Sequence, residues 1–203
     1  MGKLESFLYK INHSPNFIPS EKIPEHVKKS FVVAEDNFFY THRGVDYSSL
    51  SRAAKILFKT GQKRQGGSTI TMQLARNTYL TNKKTYTRKF NEILIARKIE
   101  NTFSKDDILT LYLNEVYLGH NVHGIKQAAQ FYFGKNVYDL NVSEAAILAG
   151  IPPAPAHVTP ILNPEKIMQK RNEILIRLLA LKIITPSSYC ISFNMPLELR
   201  ASH

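Results

Sequence analysis

The sequence predicts a mainly α-helical domain, and three observations carry that reading. Apolar residues recur at helical spacing in several segments, no segment alternates with the period of two that marks a strand-rich domain, and cap and stop signals bracket most of the periodic stretches. With 203 residues and 43% hydrophobic content, the chain is large enough to bury a core. Lys and Arg number 27 against 16 Asp and Glu, a net charge of +11. That imbalance bears on partners rather than on fold: nucleic acid, an anionic membrane surface and a pyrophosphate-bearing substrate all fit it. The single cysteine, Cys190, excludes an intramolecular disulfide and a cysteine-based zinc cluster. No run approaches the roughly 18–20 apolar residues that span a bilayer. The first twenty residues do not read as a signal peptide, because Lys3, Glu5, Lys10 and two prolines interrupt them.

Residues 1–24 read as an irregular lead-in ending in Ile23-Pro24. A helix then starts at Glu25 and carries Val27, Phe31 and Ala34 inward before reaching the acid pair Glu35-Asp36. Phe31–Ala34 on one side and Phe38, Phe39 and Tyr40 on the other are expected to close over that pair. Such surroundings raise a carboxyl pKa by desolvation and suit a group that accepts a proton near neutral pH. The plainer reading of an acid pair is a helix end facing water. Asp46 is placed to cap a second helix over 48–59, with Leu50, Ala53, Ala54, Ile56, Leu57 and Phe58 as its apolar residues. It ends in Thr60-Gly61-Gln62-Lys63-Arg64, a glycine stop inside a basic cluster. Apolar tips beside cations suit an anionic membrane surface, and an ordinary core helix fits equally well.

Gln65-Gly66-Gly67-Ser68-Thr69 reads as a flexible loop feeding a helix over 70–77, with Ser68 as its N-cap. Two glycines before a helix N-terminus let a ligand's phosphate approach free backbone N–H groups. Thr69, Gln73, Arg76 and Asn77 form a polar edge. The longest helical pattern runs over 83–103 with Phe90, Ile93, Leu94 and Ile99 apolar; Arg88 and Glu92 stand four apart, by default a solvated ion pair. Ser104 and Asp107 have capping-box spacing for a helix that buries Ile108, Leu111 and Leu113, presents Asn114, Glu115 and Tyr117, and stops at Gly119. A short helix over 125–133 ends at Gly134, and Ser143 caps another over 144–149 before a proline-rich crossing. Asn163-Pro164, a cap followed by proline, starts a helix through about Lys182. The organisation expected is a lead-in over 1–24, one domain over 25–184 and a tail over 185–203.

Read together, five stretches resemble in order the signatures of the peptidoglycan glycosyltransferases, family 51 of the glycosyltransferases: EDNFFYTHRG (35–44), GGSTITMQLARN (66–77), RKFNEILIARKIE (88–100), KDDILTLYLNEVYLG (105–119) and, more loosely, KRNEILIRL (170–178). GIKQAAQFYFGK (124–135) and LNVSEAAILAGIPPAP (140–155) extend the match, which covers residues 20 to 180 and is expected to end near Ile184. The resemblance implies a lysozyme-like helical core lobe with a smaller, membrane-facing jaw. It implies polymerisation of lipid II, a disaccharide-pentapeptide on undecaprenyl pyrophosphate, with the growing strand as donor.

Carried over by position, Glu35 is the general base and Glu92 the second essential acid. Asp36, Phe39, His42 and Gly44 complete the first signature, and Gly67, Ser68, Thr69, Gln73, Arg76 and Asn77 come from the second. Arg88 and Lys89 belong to the third, Asn114 to the fourth and Arg171 to the fifth. Displacing an α-linked pyrophosphate to give a β-1,4 linkage inverts the anomeric centre, so a base must act on the acceptor hydroxyl from the opposite face. The leaving group needs cations more than a proton, and Arg offers a bidentate fork for phosphate. Glu92 is also where Mg²⁺ or Mn²⁺ would bridge to pyrophosphate, although one carboxylate is a poor site without substrate phosphates. Met72 stands where the family often has a second Gln, and Arg76 where it commonly has Lys.

The resemblance places the chain on the outer, extracytoplasmic face of the plasma or inner membrane, with an anchor helix left out of the sequence. Tyr117–Gly124 looks more like the bifunctional members, which also carry a transpeptidase domain. No Ser-x-x-Lys occurs here, so penicillin-type acylation is not expected. Three other readings compete: a lysozyme-like glycan hydrolase, a basic helical module binding nucleic acid, and a member that binds without catalysing. The glycine loop and the cations of the third signature favour the synthase over the hydrolase. Scattered basic residues without a recognition helix or stacking motif speak against nucleic acid.

Overall fold

The computed structural model describes residues 14–60, 67–79 and 86–200. Its helices are α1 (Glu25–Glu35), α2 (Tyr47–Thr60), α3 (Ile70–Tyr79), α4 (Tyr86–Thr102), α5 (Lys105–Glu115), α6 (Ile125–Phe133), α7 (Val142–Ala149), α8 (Pro164–Ala180) and α9 (Pro186–Asn194). Short 3₁₀ turns occur at Ser20–Lys22 and Val137–Asp139. Among the described residues the only β pairing is an isolated bridge between Tyr117 and His123, so the fold is mainly α, as expected.

The core is organised around α7. Its sequence is apolar or small on nearly every side, and every residue from Ser143 to Ala149 is buried, as a helix enclosed by others must be. α1, α8 and α9 pack directly on it, and α6 touches it from another side. A second group, α3 against α4 and α5, joins the first through α5 and α6. Ile18, Ile23, Val27, Phe31, Ile108, Leu113, Ile147 and Leu178 belong to one continuous buried cluster. Expected caps at Ser104 and Asn163 are present: Ser104 and Asp107 make a full capping box, and Asn163 accepts from the Lys166 N–H.

Two expected caps move. Asn141, not Ser143, caps α7, in a reciprocal box with Glu144. Thr69, not Ser68, caps α3 and accepts from the Met72 N–H at 3.1 Å. The segments set apart as lead-in and tail are packed on the domain. Ile18 and Ile23 are buried, and residues 186–194 form α9 against α8 and α7. The signal for α9 was in the sequence: Thr185-Pro186 repeats the cap-then-proline pattern of Asn163-Pro164, and Thr185 accepts from the Ser188 N–H.

Among the described residues no helix is long and apolar enough to cross a membrane. Ile56, Leu57 and Phe58 fall in α2 but their side chains lie outside the described residues, as do Lys63 and Arg64. The jaw surface expected there is therefore outside the described part. Lys59-Thr60-Gly61 spells one transpeptidase signature, but Lys59 and Thr60 close α2 and no Ser-x-x-Lys accompanies them.

Candidate active site

Glu35 is the last residue of α1, where the chain turns sharply at Asp36. Its two oxygens differ. Oε2 accepts a hydrogen bond from Gln73 Nε2 of α3 at 2.6 Å, whereas Oε1 is buried with no hydrogen-bond partner. Burial pushes the Glu35 carboxyl above its usual range. The Gln73 bond and the charges of Lys170 and Arg76 pull the other way, and Asp36 adds to the rise. An ionised carboxylate at a helix C-terminus is disfavoured by the helix dipole as well. A carboxyl so raised, with one oxygen fixed and the other without a hydrogen-bond partner, has properties that suit a general base. Of the three aromatic residues that follow it, Phe39 is buried, whereas Phe38 and Tyr40 are turned outward, 48% and 44% exposed. Tyr112 of α5 lies nearby. It is fully buried, its hydroxyl has no hydrogen-bond partner, and burial together with the Glu35 charge raises its pKa well above the usual value.

Asp36 does not face the same space. It is buried, accepts from His42 Nε2 at 2.9 Å, and accepts the Ile70 N–H, the first of α3, at 3.0 Å. It therefore closes the N-terminus of α3 with a negative charge, where the dipole favours one. Phe39 is fully buried under the Lys105 ammonium, 4.4 Å from its ring centre, and edge-on to His42. Thr69 donates its hydroxyl to the Gly44 carbonyl at 2.6 Å. Gly44 has φ +85, and an added Cβ would come within 3.0 Å of the Ala96 carbonyl on α4. Asp36, Phe39, His42, Gly44 and Thr69 thus tie the first two signatures together and set Gln73 against Glu35. The helix N-terminus expected to receive phosphate has two of its N–H groups already engaged, by Asp36 and Thr69.

Glu92 is not the solvated partner its spacing suggests. It is 1% exposed, in ionic contact with Arg88 Nη1 at 2.8 Å and hydrogen-bonded to Lys89 Nζ at 3.0 Å. Lys89 also donates to Ser68 Oγ at 2.7 Å, which joins this acid to the start of α3. α3 therefore carries Ser68 and Thr69 at one end of the site and Gln73 one turn further on, so both acids are organised by the same helix. Arg76 is half-buried and Asn77 exposed at the next turn; Gly67 is half-buried beside the glycine loop, of which Gly66 lies outside the described residues. A divalent ion does not fit Glu92 on these grounds alone. Its carboxylate is occupied by two cations, and among the described residues no three His, Cys, Asp or Glu side chains group as ligands.

Two expected site residues are placed elsewhere. Asn114 accepts the Ile18 N–H at 2.8 Å and donates to the Ile18 carbonyl at 2.9 Å and the Thr110 carbonyl at 2.8 Å, fastening the lead-in to α5. Arg171 is 2% exposed and donates to the carbonyls of Met195 (2.6 Å) and Phe193 (2.8 Å), to Ser143 Oγ and to Asn172. It holds the C-terminal end of α9. Lys170, one position earlier and unmarked in the sequence, is the cation of this stretch whose charge acts on Glu35.

A buried carboxyl between an amide and cations, on a helical frame, is a site for acid–base chemistry on a polar substrate. The chain belongs to the transglycosylase family, whose sequence profile, described as Transglycosylase, matches residues 4–179. Penicillin-binding protein 1A of Aquifex aeolicus is 47% identical over 184 residues, covering 91% of this chain and 25% of that protein. A Cupriavidus necator protein named as a transglycosylase is 43% identical over 188 residues, 93% of this chain and 81% of its own length. Penicillin-binding protein 1A of Pseudomonas aeruginosa matches over 197 residues, 97% of this chain, so the similarity runs on into the tail, past Ile184. A crystal structure of penicillin-binding protein 1A from Haemophilus influenzae aligns with 66% of this chain and 17% of that one at 29% identity and a TM-score of 0.46. The chain spans about a quarter of the length of the curated penicillin-binding relatives it matches.

Proposed function

We propose that this chain is a peptidoglycan glycosyltransferase domain that extends glycan strands from lipid II with inversion at the anomeric carbon. The observation that carries the reading is the Glu35 carboxyl, raised by burial, with Oε2 held by Gln73 and Oε1 buried without a hydrogen-bond partner. In the reaction the acceptor hydroxyl oxygen bonds to the donor's anomeric carbon, the bond from that carbon to pyrophosphate breaks, and the hydroxyl proton passes to Glu35 Oε1. The pyrophosphate leaves with both electrons of the broken bond. Arg76, Arg88 and Lys89 are the cations nearest to hand for that charge, with Glu92 holding the last two in place.

The substrate's lipid asks for a membrane surface. On α4, Phe90 and Leu94 are 60% and 51% exposed, and Arg97 and Lys98 follow on the same face. An apolar stripe continued by cations suits anionic lipid, on the outer face of the plasma or inner membrane where lipid II is consumed. A transpeptidase is the partner that would cross-link the strand. The test is incubation with labelled lipid II and, in parallel, with preformed glycan. The expected result is a polymer ladder that a muramidase degrades, with no cutting of the preformed strand. Shortening of preformed glycan without a ladder would favour the hydrolase.

A further inference from the structure

Outside the site around Glu35, a strained turn and an exposed aromatic ring meet at one groove. Helix α6 turns Ile125, Ala128, Ala129 and Tyr132 into the core at helical spacing. Its other face carries Lys126, Gln127, Gln130 and Phe131, the last 41% exposed, and all four line a groove of about 420 Å³. That is the size of a small-molecule site rather than of a packing defect. The tail closes one end. Gly134 stops α6 in the left-handed conformation, φ +66, and Arg200 crosses there: its N–H donates to the Tyr132 carbonyl at 2.8 Å, and its Cδ would touch a Gly134 Cβ at 3.4 Å. The turn before α6 braces the aromatic wall. Gly119, His120 and Asn121 have φ of 81°, 48° and 60°, a left-handed run in which two residues are not glycine. Such backbone is costly and gathers where a site needs fixed geometry. Here it sets the His120 ring against Phe131, 5.7 Å between centres and 29° between planes, with His120 Nε2 hydrogen-bonded to Thr159 Oγ1 at 3.1 Å. Phe131 is thus held firmly and still exposed.

The charge of the groove is one-sided. No Asp or Glu lines it, whereas Lys126, Lys135 and Arg200 do. Lys135 is paired with Glu144 Oε1 at 2.7 Å. Lys126 Nζ donates to the Pro15 carbonyl at 2.9 Å, and among the described residues no carboxylate pairs with it or with Arg200. Gln127 and Gln130 add side-chain amides that can both donate and accept. We propose that this groove binds the already polymerised part of the glycan strand, with a sugar against Phe131 and a stem-peptide carboxylate at Arg200 and Lys126. The proposal rests on the reading of the chain as a glycosyltransferase, because the strand it extends carries sugar rings, amides and carboxylates together. A guanidinium fork pairs with both oxygens of a carboxylate. An exposed ring covers the apolar face of a sugar as it covers other apolar surface. None of these residues belongs to the site around Glu35 and Glu92, so the groove holds strand without taking part in the bond-forming step.

The experiment titrates the unsubstituted chain with a soluble tetrasaccharide that carries its stem peptides, following the side-chain amide resonances of Gln127 and Gln130 by NMR. Both should shift and saturate. Amidating the carboxylates of the ligand should weaken binding by about fivefold or more, since charge-assisted bonds are lost. The double variant K126Q/R200Q should weaken the unmodified ligand to a similar extent and leave the amidated one within about twofold of the unsubstituted chain. F131S should weaken both ligands, and far-UV circular dichroism checks that each variant is folded. Shifts confined to residues around Glu35 would overturn the proposal, as would unchanged affinity after amidation or in the double variant. Inorganic phosphate that displaced the tetrasaccharide at matched concentration would make the groove a general anion site and overturn it as well. If the unsubstituted chain failed to polymerise lipid II, the proposed function would fall, and the glutamine amide shifts would still decide whether the groove takes the saccharide.

Discussion

Glu35 sits in surroundings that favour function over stability. A carboxyl whose folded pKa is raised by burial contributes stability that is fully present below its unfolded value, near 4.5, and is lost as pH rises through the folded value. At neutral pH the ionised group therefore weighs against the fold. Glu35→Gln keeps the shape and can still accept from Gln73. It should melt at or slightly above wild type at pH 7–8, and the advantage should shrink as pH falls through the folded value and be gone below about 4.5. A scan in which the substitution costs more at pH 7 than at pH 4 would contradict the desolvation account. Arg171 makes the opposite case. Arg171→Met leaves the Phe193 and Met195 carbonyls at the end of α9, and Ser143, without this donor; it should cost about 2–4 kcal/mol by denaturant titration, with little change in rate per folded molecule. The sequence marked both residues as candidates; the facing of Lys170 and Arg171 was not readable in it, because one step along a helix decides it and only the packing of α7 and α9 fixes the rotation of α8.

At the scale of elements, α3 joins the signatures. Its N-terminus is closed by Asp36 and Thr69, Thr69 reaches back to Gly44, and Gly44 lies flat against α4. Gly44→Ala combines a left-handed backbone with a Cβ 3.0 Å from a carbonyl oxygen of α4. It should destabilise by about 1–3 kcal/mol and loosen Gln73 from Glu35, so a urea midpoint equal to wild type would count against this linkage. α4 shows where periodicity misled. Its apolar residues mark a core face by spacing, yet Phe90 and Leu94 are exposed and the buried face carries Glu92, Ala96 and Ile99. A helix that turns apolar residues out and a carboxylate in breaks the usual partition, and that break is what a functional helix between a membrane and a charged site would show. It also raises the stakes at Glu92. Glu92→Gln leaves Arg88 and Lys89 around a neutral group and should lower stability by about 1–3 kcal/mol, well beyond a surface pair.

The whole molecule combines a net charge of +11 with an exposed apolar and basic face on α4. Co-sedimentation with vesicles should rise with anionic lipid, weaken with salt as charges are screened, and fall when Phe90 and Leu94 are both replaced by serine. Equal sedimentation of the double variant would assign that face another role. Deleting residues 185–203 should unfold the chain at a lower temperature, since α9 is clamped by Arg171 and packed on α7 and α8. The five signatures were visible in the sequence because chemistry constrains their residue types. The folded roles of Asn114, Arg171 and α9 were not, because these contacts join distant parts of the chain. The central claim is that Glu35 takes the acceptor's proton. Its most direct test is single-turnover elongation of labelled lipid II by wild type and Glu35→Gln, side by side with matching circular dichroism. The account predicts a loss of about 10²–10⁴-fold with the fold intact; polymer formation within tenfold of wild type would contradict it.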